Sequence, residues 1–333
     1  MEMTNQEIAK DTDQELIEIL KTLKTNIKII GCGGSGSNTI SRIMEEGITG
    51  ADVIAANTDA QHLLLTQAPR KILLGKRLTR GLGAGAIPQI GEQAAREAED
   101  EIRSVVEGAD IVFVTAGMGG GTGTGSAHVV AELAKQAGAL VIAVVTLPFT
   151  SEGKMRMENA LWGLQKLKEK SDTVIVIPND KLLQIVPRLP LNEAFRFADE
   201  ILMNAIKGLT ELITKPGLVN LDFNDLRTVM KDGGSAMIGI GQSGSQQRAL
   251  DAAKKALTSP LLESDISTAT SAIVSVTGSS NMSVEEAHSV LEEVKKAINP
   301  NARIIWGARI DESMKNDIKV LTILVGAKNK YLP

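Results

Sequence analysis

Three times in the first 125 residues a short apolar run ends in a cluster of glycines and gives way to a helical pattern. Nothing else in the chain constrains its fold as strongly. Ile27-Lys28-Ile29-Ile30 runs into Gly31-Cys32-Gly33-Gly34-Ser35-Gly36-Ser37-Asn38 and a helix to about Glu46. Lys71–Leu74 leads to Gly81-Leu82-Gly83-Ala84-Gly85-Ala86 and a helix through about Val106. Asp110–Thr115 ends in Gly117-Met118-Gly119-Gly120-Gly121-Thr122-Gly123-Thr124-Gly125-Ser126, again before a helix. Asp52–Ala56, ending in Asn57-Thr58-Asp59, and then Leu140–Thr146 and Thr173–Ile177 extend the series. Short apolar strands alternating with helices predict a mostly parallel, Rossmann-like α/β sheet covered on both faces. The glycine clusters then lie at the carboxyl ends of strands, where such a sheet holds its ligand.

A helical pattern from Asn192 to Ile213 follows, about 33 Å long at 1.5 Å per residue, and Pro216-Gly217 punctuates its end. Beyond it come a strand (Ala236–Gly241), a helix (Gln246–Leu257), a strand (Ala272–Thr277), a helix (Val284–Ile298) and two strands in succession (Arg303–Ile310 and Ile318–Val325). Successive strands imply a smaller α+β domain with a four-stranded mixed sheet. The expected organisation is an amphipathic helical extension over 1–25, a Rossmann-like domain over 26–192, a linking central helix over 193–215, and the α+β domain over 216–333. In the extension Ile8, Leu16, Ile17, Ile19, Leu20 and Leu23 share one helical face, which suits docking on the chain's own domain or on a partner.

Composition excludes several functions. Lys plus Arg is 36 against 40 for Asp plus Glu, a formal charge of −4, so no general electrostatic reason to bind nucleic acid exists. No apolar run is long enough to insert in a membrane. Cys32 is the one cysteine, which rules out an internal disulfide or a cysteine-rich zinc site. With no signal-peptide pattern, a reducing cytoplasm is the expected compartment. His62, His128 and His288 lack ligand spacing, so no metal-binding residue is expected among them.

Glycine lets backbone N–H groups approach an anion closely, and the following helix N-terminus favours negative charge. Gly31–Gly36 fits G-x-G-x-x-G, with Asp59 23 residues beyond Gly36; alone, that pair reads as a dinucleotide site of an NAD(P)-dependent oxidoreductase. The second loop shifts the reading. Six of the nine residues from Gly117 to Gly125 are glycine, with two threonines among them, giving another anion cradle on the same sheet. Two cradles, with Gly83–Ala86 as a third wall, suit a longer polyphosphate. The P-loop pattern G-x-x-x-x-G-K-[ST] does not occur, and neither loop contains lysine, so backbone dipoles must hold the charge.

Gly119-Gly120-Gly121-Thr122-Gly123-Thr124-Gly125 is similar to the signature loop of the tubulin/FtsZ superfamily. Asn57-Thr58-Asp59-Ala60-Gln61, Pro148-Phe149-Thr150-Ser151-Glu152-Gly153, Asn179-Asp180-Lys181-Leu182 and Asn220-Leu221-Asp222-Phe223-Asn224-Asp225 follow in the family's order, over about residues 26–326. The whole resembles the FtsZ family of prokaryotic cell-division GTPases more than tubulin. The resemblance implies a GTP-binding domain that turns GTP into GDP, with Mg²⁺ neutralising the phosphates and no protein ligand for it. It implies a nucleotide site in which Gly34, Ser35, Gly36, Ser37 and Asn38 and Gly121, Thr122 and Gly123 hold the phosphates, with Gly33, Gly119, Gly120, Thr124 and Gly125 in the same binding loops. Asn57, Asp59, Ala84, Gly85 and Ala86 would complete the surround. Glu152 matches the ribose contact, Arg156 the polyphosphate neighbour, and Asn179 and Asp199 the guanine contacts, with Phe195 stacked on the base. A carboxylate accepts from both guanine N1–H and N2–H, which adenine cannot offer.

By the same resemblance Asn220, Asp222 and Asp225 are catalytic, and act in the nucleotide site of the next subunit. Such a head-to-tail contact is heterologous and propagates as a filament. The implied setting is the cytoplasmic division ring at mid-cell, with membrane-tethering division proteins as partners. Read from the residues alone, Asp222 and Asp225 are turn and N-cap carboxylates. The alternatives are the NAD(P) oxidoreductase, which leaves the second glycine loop without a purpose, and a superfamily filament protein of weak GTPase activity, which the presence of both aspartates argues against. Ser35 and Ser37 stand where many members have glycine, which requires negative φ at both. The N-terminal extension resembles that of archaeal members. Bacterial members carry a long tail after the last strand for their membrane-tethering partners, whereas these 333 residues reach Pro333 soon after Val325.

Overall fold

Among residues 25–185, 190–215, 217–219, 221–262 and 265–332, which the computed structural model describes, ten strands form one sheet. They are β1 (Ile27–Cys32), β2 (Ala51–Asn57), β3 (Arg70–Leu73), β4 (Ile111–Gly117), β5 (Leu140–Leu147), β6 (Thr173–Pro178), β7 (Gly234–Ser243), β8 (Ser271–Gly278), β9 (Arg303–Ile310) and β10 (Ile318–Val325). The order is β3-β2-β1-β4-β5-β6-β7-β10-β8-β9. From β3 to β6 every pairing is parallel. The first six strands thus reproduce the 3-2-1-4-5-6 order of a doubly wound fold, whose direction of winding reverses between β1 and β4. Helices on both faces explain the uninterrupted apolar runs: all eight residues of β5 are buried.

The far side is the mixed four-stranded sheet expected, with β10 antiparallel to β7 and β8, and β9 parallel to β8. It is not a separate sheet. Thr173↔Gly234, Val174↔Ser235 and Ile175↔Ala236 pair β6 with β7 in parallel and join both halves. A second difference concerns the single helix expected before Val106. Two helices, α3 (Pro88–Glu97) and α4 (Glu99–Val106), meet at Ala98, whose ψ of 20° breaks the helical path. Glu99, Asp100 and Glu101 open the second one, where negative charge is favoured. The extension over 1–25 falls, save for Thr25, outside the described residues.

One face of the parallel sheet is covered by α3, α4, α5 (Thr122–Gln136) and α6 (Lys154–Lys170). The other carries α1 (Gly33–Glu45) and α8 (Leu191–Thr214); between them in the chain lie α2 (Ala60–Leu65) and α7 (Asn179–Ile185). At 24 residues α8 is about 36 Å long. Its Leu202, Ala205, Ile206 and Leu209 share one apolar cluster with Phe113 and Val144 of the first half and Ile273 and Ile323 of the second, so the helix is packed by both. After it come α9 (Phe223–Met230), α10 (Arg248–Leu257) and α11 (Val284–Ala297).

Helices α3 and α5 cross with almost no side chain between them. A Cβ at Gly125 would overlap the carbonyl oxygen of Pro88, and one at Gly91 the carbonyl of Gly121. Backbone cannot yield as a flexible side chain can. Gly125→Ala is therefore expected to cost roughly 3 kcal/mol, read as a lowered unfolding midpoint. An unchanged midpoint would show that the helices move apart freely.

Candidate functional site

The two glycine-rich turns sit side by side because β1 and β4 are hydrogen-bonded neighbours at the reversal point. They touch. Gly33, with φ of 73°, lies so close to Gly123 that an added Cβ would stand 2.6 Å from the Gly123 nitrogen. Gly117 packs equally closely on Ser35. Ser35 and Ser37 lie inside α1, and neither has positive φ, so side chains are accepted there. The Gly119 N–H donates to Thr124 Oγ1 at 2.8 Å, and the Thr58 and Thr122 hydroxyls meet at 2.6 Å. These contacts fix a rigid floor with the N-termini of α1 and α5 facing one opening.

That opening is a cleft of about 230 Å³. Of the sequence-predicted residues, Gly34, Ser35, Gly120, Gly121, Thr122, Gly123, Glu152, Arg156, Asn179, Phe195 and Asp199 line it. They come from segments as far apart as α1 and α8. Glu152 closes a short turn by accepting from the Phe149 N–H at 2.8 Å and pairs with Arg156 at 3.0 Å. Phe195 leans edge-on against Phe149, with ring centroids 5.3 Å apart, and keeps 39% of its surface exposed at the mouth. Asn179, first residue of α7, is buried, yet its Oδ1 has no hydrogen-bond partner. A buried carbonyl without a donor costs stability unless a ligand supplies one.

Asp199 is the other polar group held in reserve. It is 6% exposed on α8, accepts from Ser35 Oγ at 3.4 Å, and faces Arg42 Nε at 3.8 Å. Burial pushes its carboxyl up to about 7, against a smaller opposing pull from Arg42. Burial likewise drives the Cys32 thiol up to about 12, so it stays protonated and unreactive, as a packing residue.

The remaining predicted residues lie around the cleft, not on its lining. Gly36 packs on the Thr115 and Gly31 backbone, Ser37 is buried, and Asn38 Oδ1 meets His62 Nε2 at 3.0 Å. Asn57 is buried beneath them, within 3.5 Å of Ser37 and of His62. Asp59 caps α2 by accepting from the His62 N–H at 2.9 Å, which commits the carboxylate that the oxidoreductase reading assigns to a ribose. Ala84 backs Gly121; Asn159 ties Ala86 to the loop at Gly119, with Gly85 between them in the same turn. Gly117 and Met118 of the second glycine loop also line the cleft, as do Thr146, Pro148 and Ala198, which were not foreseen. Pro148 stands in a quoted motif; the others lie at strand ends or on a helix without a chemical signal.

Asp222 and Asp225 are elsewhere. Asn220 lies outside the described residues. Asp222 caps α9 by accepting from the Asp225 N–H at 2.8 Å, and Asp225 returns the bond at 3.4 Å. The last residue of α9, Met230, accepts at its carbonyl from Thr173 Oγ1, at the first residue of β6. Helix α9 is thus attached at the amino end of the sheet, whereas the cleft opens at the carboxyl ends. Helix α8 runs between the two, with Asp199 in its first half and the loop to α9 beyond its last residue. Among the described residues no group of three or more His, Cys, Asp or Glu could hold a metal. None of their helices is long and apolar enough to cross a membrane.

A model described as the Tubulin/FtsZ family, GTPase domain, matches residues 26–187, and one described as the FtsZ family, C-terminal domain, matches 234–328. Fold and cleft define a GTPase of the tubulin/FtsZ class. The cell division protein FtsZ 1 of Archaeoglobus fulgidus is 59% identical over 97% of this chain and 88% of its own length. That of Thermococcus kodakarensis is 58% identical over 96% and 86%. Among solved structures, an empty FtsZ dimer from M. jannaschii superposes with a TM-score of 0.91 at 56% identity, covering 95% of this chain and 92% of that one. CetZ2 from Haloferax volcanii, a GTPγS-bound protofilament, shares the fold with a TM-score of 0.79 at 22% identity over 92% and 94%. The chain belongs to the FtsZ family of cell-division GTPases.

Proposed function

We propose that this protein binds GTP in the cleft and hydrolyses it only when a second copy stacks head to tail on the opening, building the filament of a division ring. The observation that carries this reading is the separation of the two halves of the machinery: the glycine floor lies at the carboxyl end of the sheet, and Asp222 and Asp225 at its amino end. One chain keeps them apart, and in this reading a copy stacked along the direction of α8 would bring them together. The phosphates rest on the N–H groups of Gly34–Ser35 and Gly120–Gly123, beside Arg156, and the ribose lies against Glu152. Guanine sits between Phe195, Asn179 and Asp199. Its N1–H and N2–H face the Asp199 carboxylate, and Asn179 Oδ1, which has no donor in the free cleft, lies beside them.

Magnesium enters with the triphosphate. The cleft offers hydroxyl and backbone groups in place of a carboxylate cluster, which suits an ion held mainly by phosphate oxygens and water. When bound it offsets charge on those oxygens. Asp222 and Asp225 of the stacked copy orient the attacking water, as does Asn220, and positioning of this kind is most of what phosphoryl transfer requires. The chain's own place is the cytoplasmic face of the division site, where membrane-tethering division proteins hold the filament.

The test is the GTPase rate per subunit against protein concentration, with light scattering on the same samples. A rate that switches on above a threshold, together with scattering, is the expected result. A constant per-subunit rate from the lowest concentrations, without scattering, would mean that one chain holds a complete site.

A further inference from the structure

Strand register sets two segments of the cleft wall side by side. The parallel pairing of β5 with β6 runs out at Leu147↔Pro178, the last residue of each strand. The chain leaving β5 enters the turn over 148–153, which carries Glu152, and the chain leaving β6 enters α7, which opens with Asn179 and Asp180. Asp180 therefore meets Thr150, 30 residues earlier in the chain. One of its carboxylate oxygens accepts from the Thr150 N–H at 2.9 Å, and the other accepts from the Thr150 hydroxyl. Asp180 itself is not on the lining of the cleft.

The turn's own bonds fix its shape. Phe149 N–H donates to Glu152 Oε1 at 2.8 Å, and the N–H groups of Glu152 and Gly153 donate to the carbonyls of Phe149 and Thr150. Glu152 Oε2 pairs with Arg156 of the helix that follows. None of these bonds sets where the turn stands relative to Asn179. The Asp180 carboxylate does, together with Phe149, which is buried against Phe195. Being ionised and held at two points, it makes a stronger and more directional tie than a neutral contact. Placement matters because Glu152 still has work to offer. A carboxylate has about four acceptor sites, and Phe149 N–H and Arg156 occupy two of them.

We propose that Asp180 is a positioning residue for ribose selection. By holding Thr150 it sets the distance from Glu152, on the turn, to Asn179, its own neighbour on α7, so that a nucleotide with its base seated presents its ribose hydroxyls to the open acceptor sites of Glu152. The inference rests on the ribose and guanine assignments made for the cleft. A nucleotide that lacks those hydroxyls gains nothing from the tie, so its loss should cost selectivity between sugars and leave selectivity between bases in place.

The test compares dissociation constants of GTP, dideoxy-GTP without either ribose hydroxyl, and ITP, on the whole chain at concentrations too low for light scattering. The parent should prefer GTP to the dideoxy nucleotide at least about tenfold, the worth of a hydrogen bond to a charged group. In Asp180→Ala that preference should fall to about twofold or less, as expected once the bond is no longer made well. The preference for GTP over ITP, which lacks the guanine N2–H donor, should stay at the parent's value. Asp180→Asn is the conservative variant: its amide oxygen accepts from the Thr150 N–H and its amide nitrogen donates to the hydroxyl, so most of the ribose preference should return. Thr150→Val, which removes the hydroxyl alone, should lie between the parent and Asp180→Ala, and decides the matter if the latter does not fold. A purely structural role would weaken all three nucleotides alike. Any of three results overturns the proposal: an unchanged ribose preference in Asp180→Ala and Thr150→Val, ribose and base preferences lost together, or an Asp180→Asn variant as unselective as Asp180→Ala. A parent indifferent to the ribose hydroxyls would remove the Glu152 contact and this role with it; that outcome is read on the parent alone, so the two failures stay apart.

Discussion

Asp225→Ala should lower GTP turnover at least about a hundredfold, the usual worth of a positioned acid–base group, while nucleotide still binds as tightly as before. The difficulty is that Asp222 and Asp225 also cap α9 reciprocally, so removing either disturbs local structure, with a typical cost of about 1 kcal/mol. Asp222→Asn separates the two roles. Asparagine accepts from the Asp225 N–H as aspartate does, so the unfolding midpoint should stay put, yet it carries no charge with which to polarise water. Turnover should still collapse. A loss of activity that tracks the unfolding midpoint across the two variants would assign both residues to structure alone. Mixing supplies a stricter check. Asp225→Ala keeps an intact cleft, and Asp199→Ala keeps an intact loop at the other end of the same molecule. Each alone should be nearly inactive. Combined, they should recover turnover at those contacts where an intact loop meets an intact cleft, and failure to recover would remove the case for catalysis between subunits.

The glycine loops were legible because their contacts demand glycine. Gly33 against Gly123 and Gly125 against Pro88 leave no room for a Cβ, and a sequence under that constraint shows it. That the sheet is parallel and covered on both faces was legible for a related reason: β5 is buried along its whole length and seven of its eight residues are apolar. What was illegible depends on distance. Ser35 and Asp199 are 164 residues apart and share one hydrogen bond, which no local pattern encodes. The pairing that joins β6 to β7 involves three residue pairs and leaves no mark on either strand. Thr146 and Ala198 line the cleft through position alone. Asp222 and Asp225 illustrate the limit from the other side. Read alone they are turn and N-cap carboxylates, the structure pairs them in a reciprocal cap, and only the family pattern pointed past it to the next subunit.

Asp199 yields the second large effect, and its sign follows from burial. A carboxyl whose native pKa is about 7, against 3.8 for the free group, binds its proton more tightly in the folded chain. The stability this provides is fully present below about pH 3.8 and is lost as pH rises through about 7. Above that, the ligand-free protein carries a buried charge that costs at most about 4 kcal/mol. Asp199→Asn never carries it, so the empty variant should be more stable than the parent at pH 8 and nearly equal to it at pH 4.5. Binding should show the opposite preference. Guanine N1–H and N2–H require the ionised carboxylate, so below pH 7 each unit of acidification should weaken GTP about tenfold, and binding should release close to one proton at pH 6 and almost none at pH 8. Calorimetric titration in two buffers of different ionisation heat measures that proton directly. Protons released by the nucleotide's own phosphates appear equally in Asp199→Asn, and the difference between the two proteins isolates the side chain. The variant should also lose most of its preference for GTP over ATP, since the discrimination rests on donors that only guanine presents. Equal proton release from both proteins, or a variant that still rejects ATP as the parent does, would move base recognition away from Asp199 and leave its burial between Ser35 and Arg42 as a cost the protein bears for another reason.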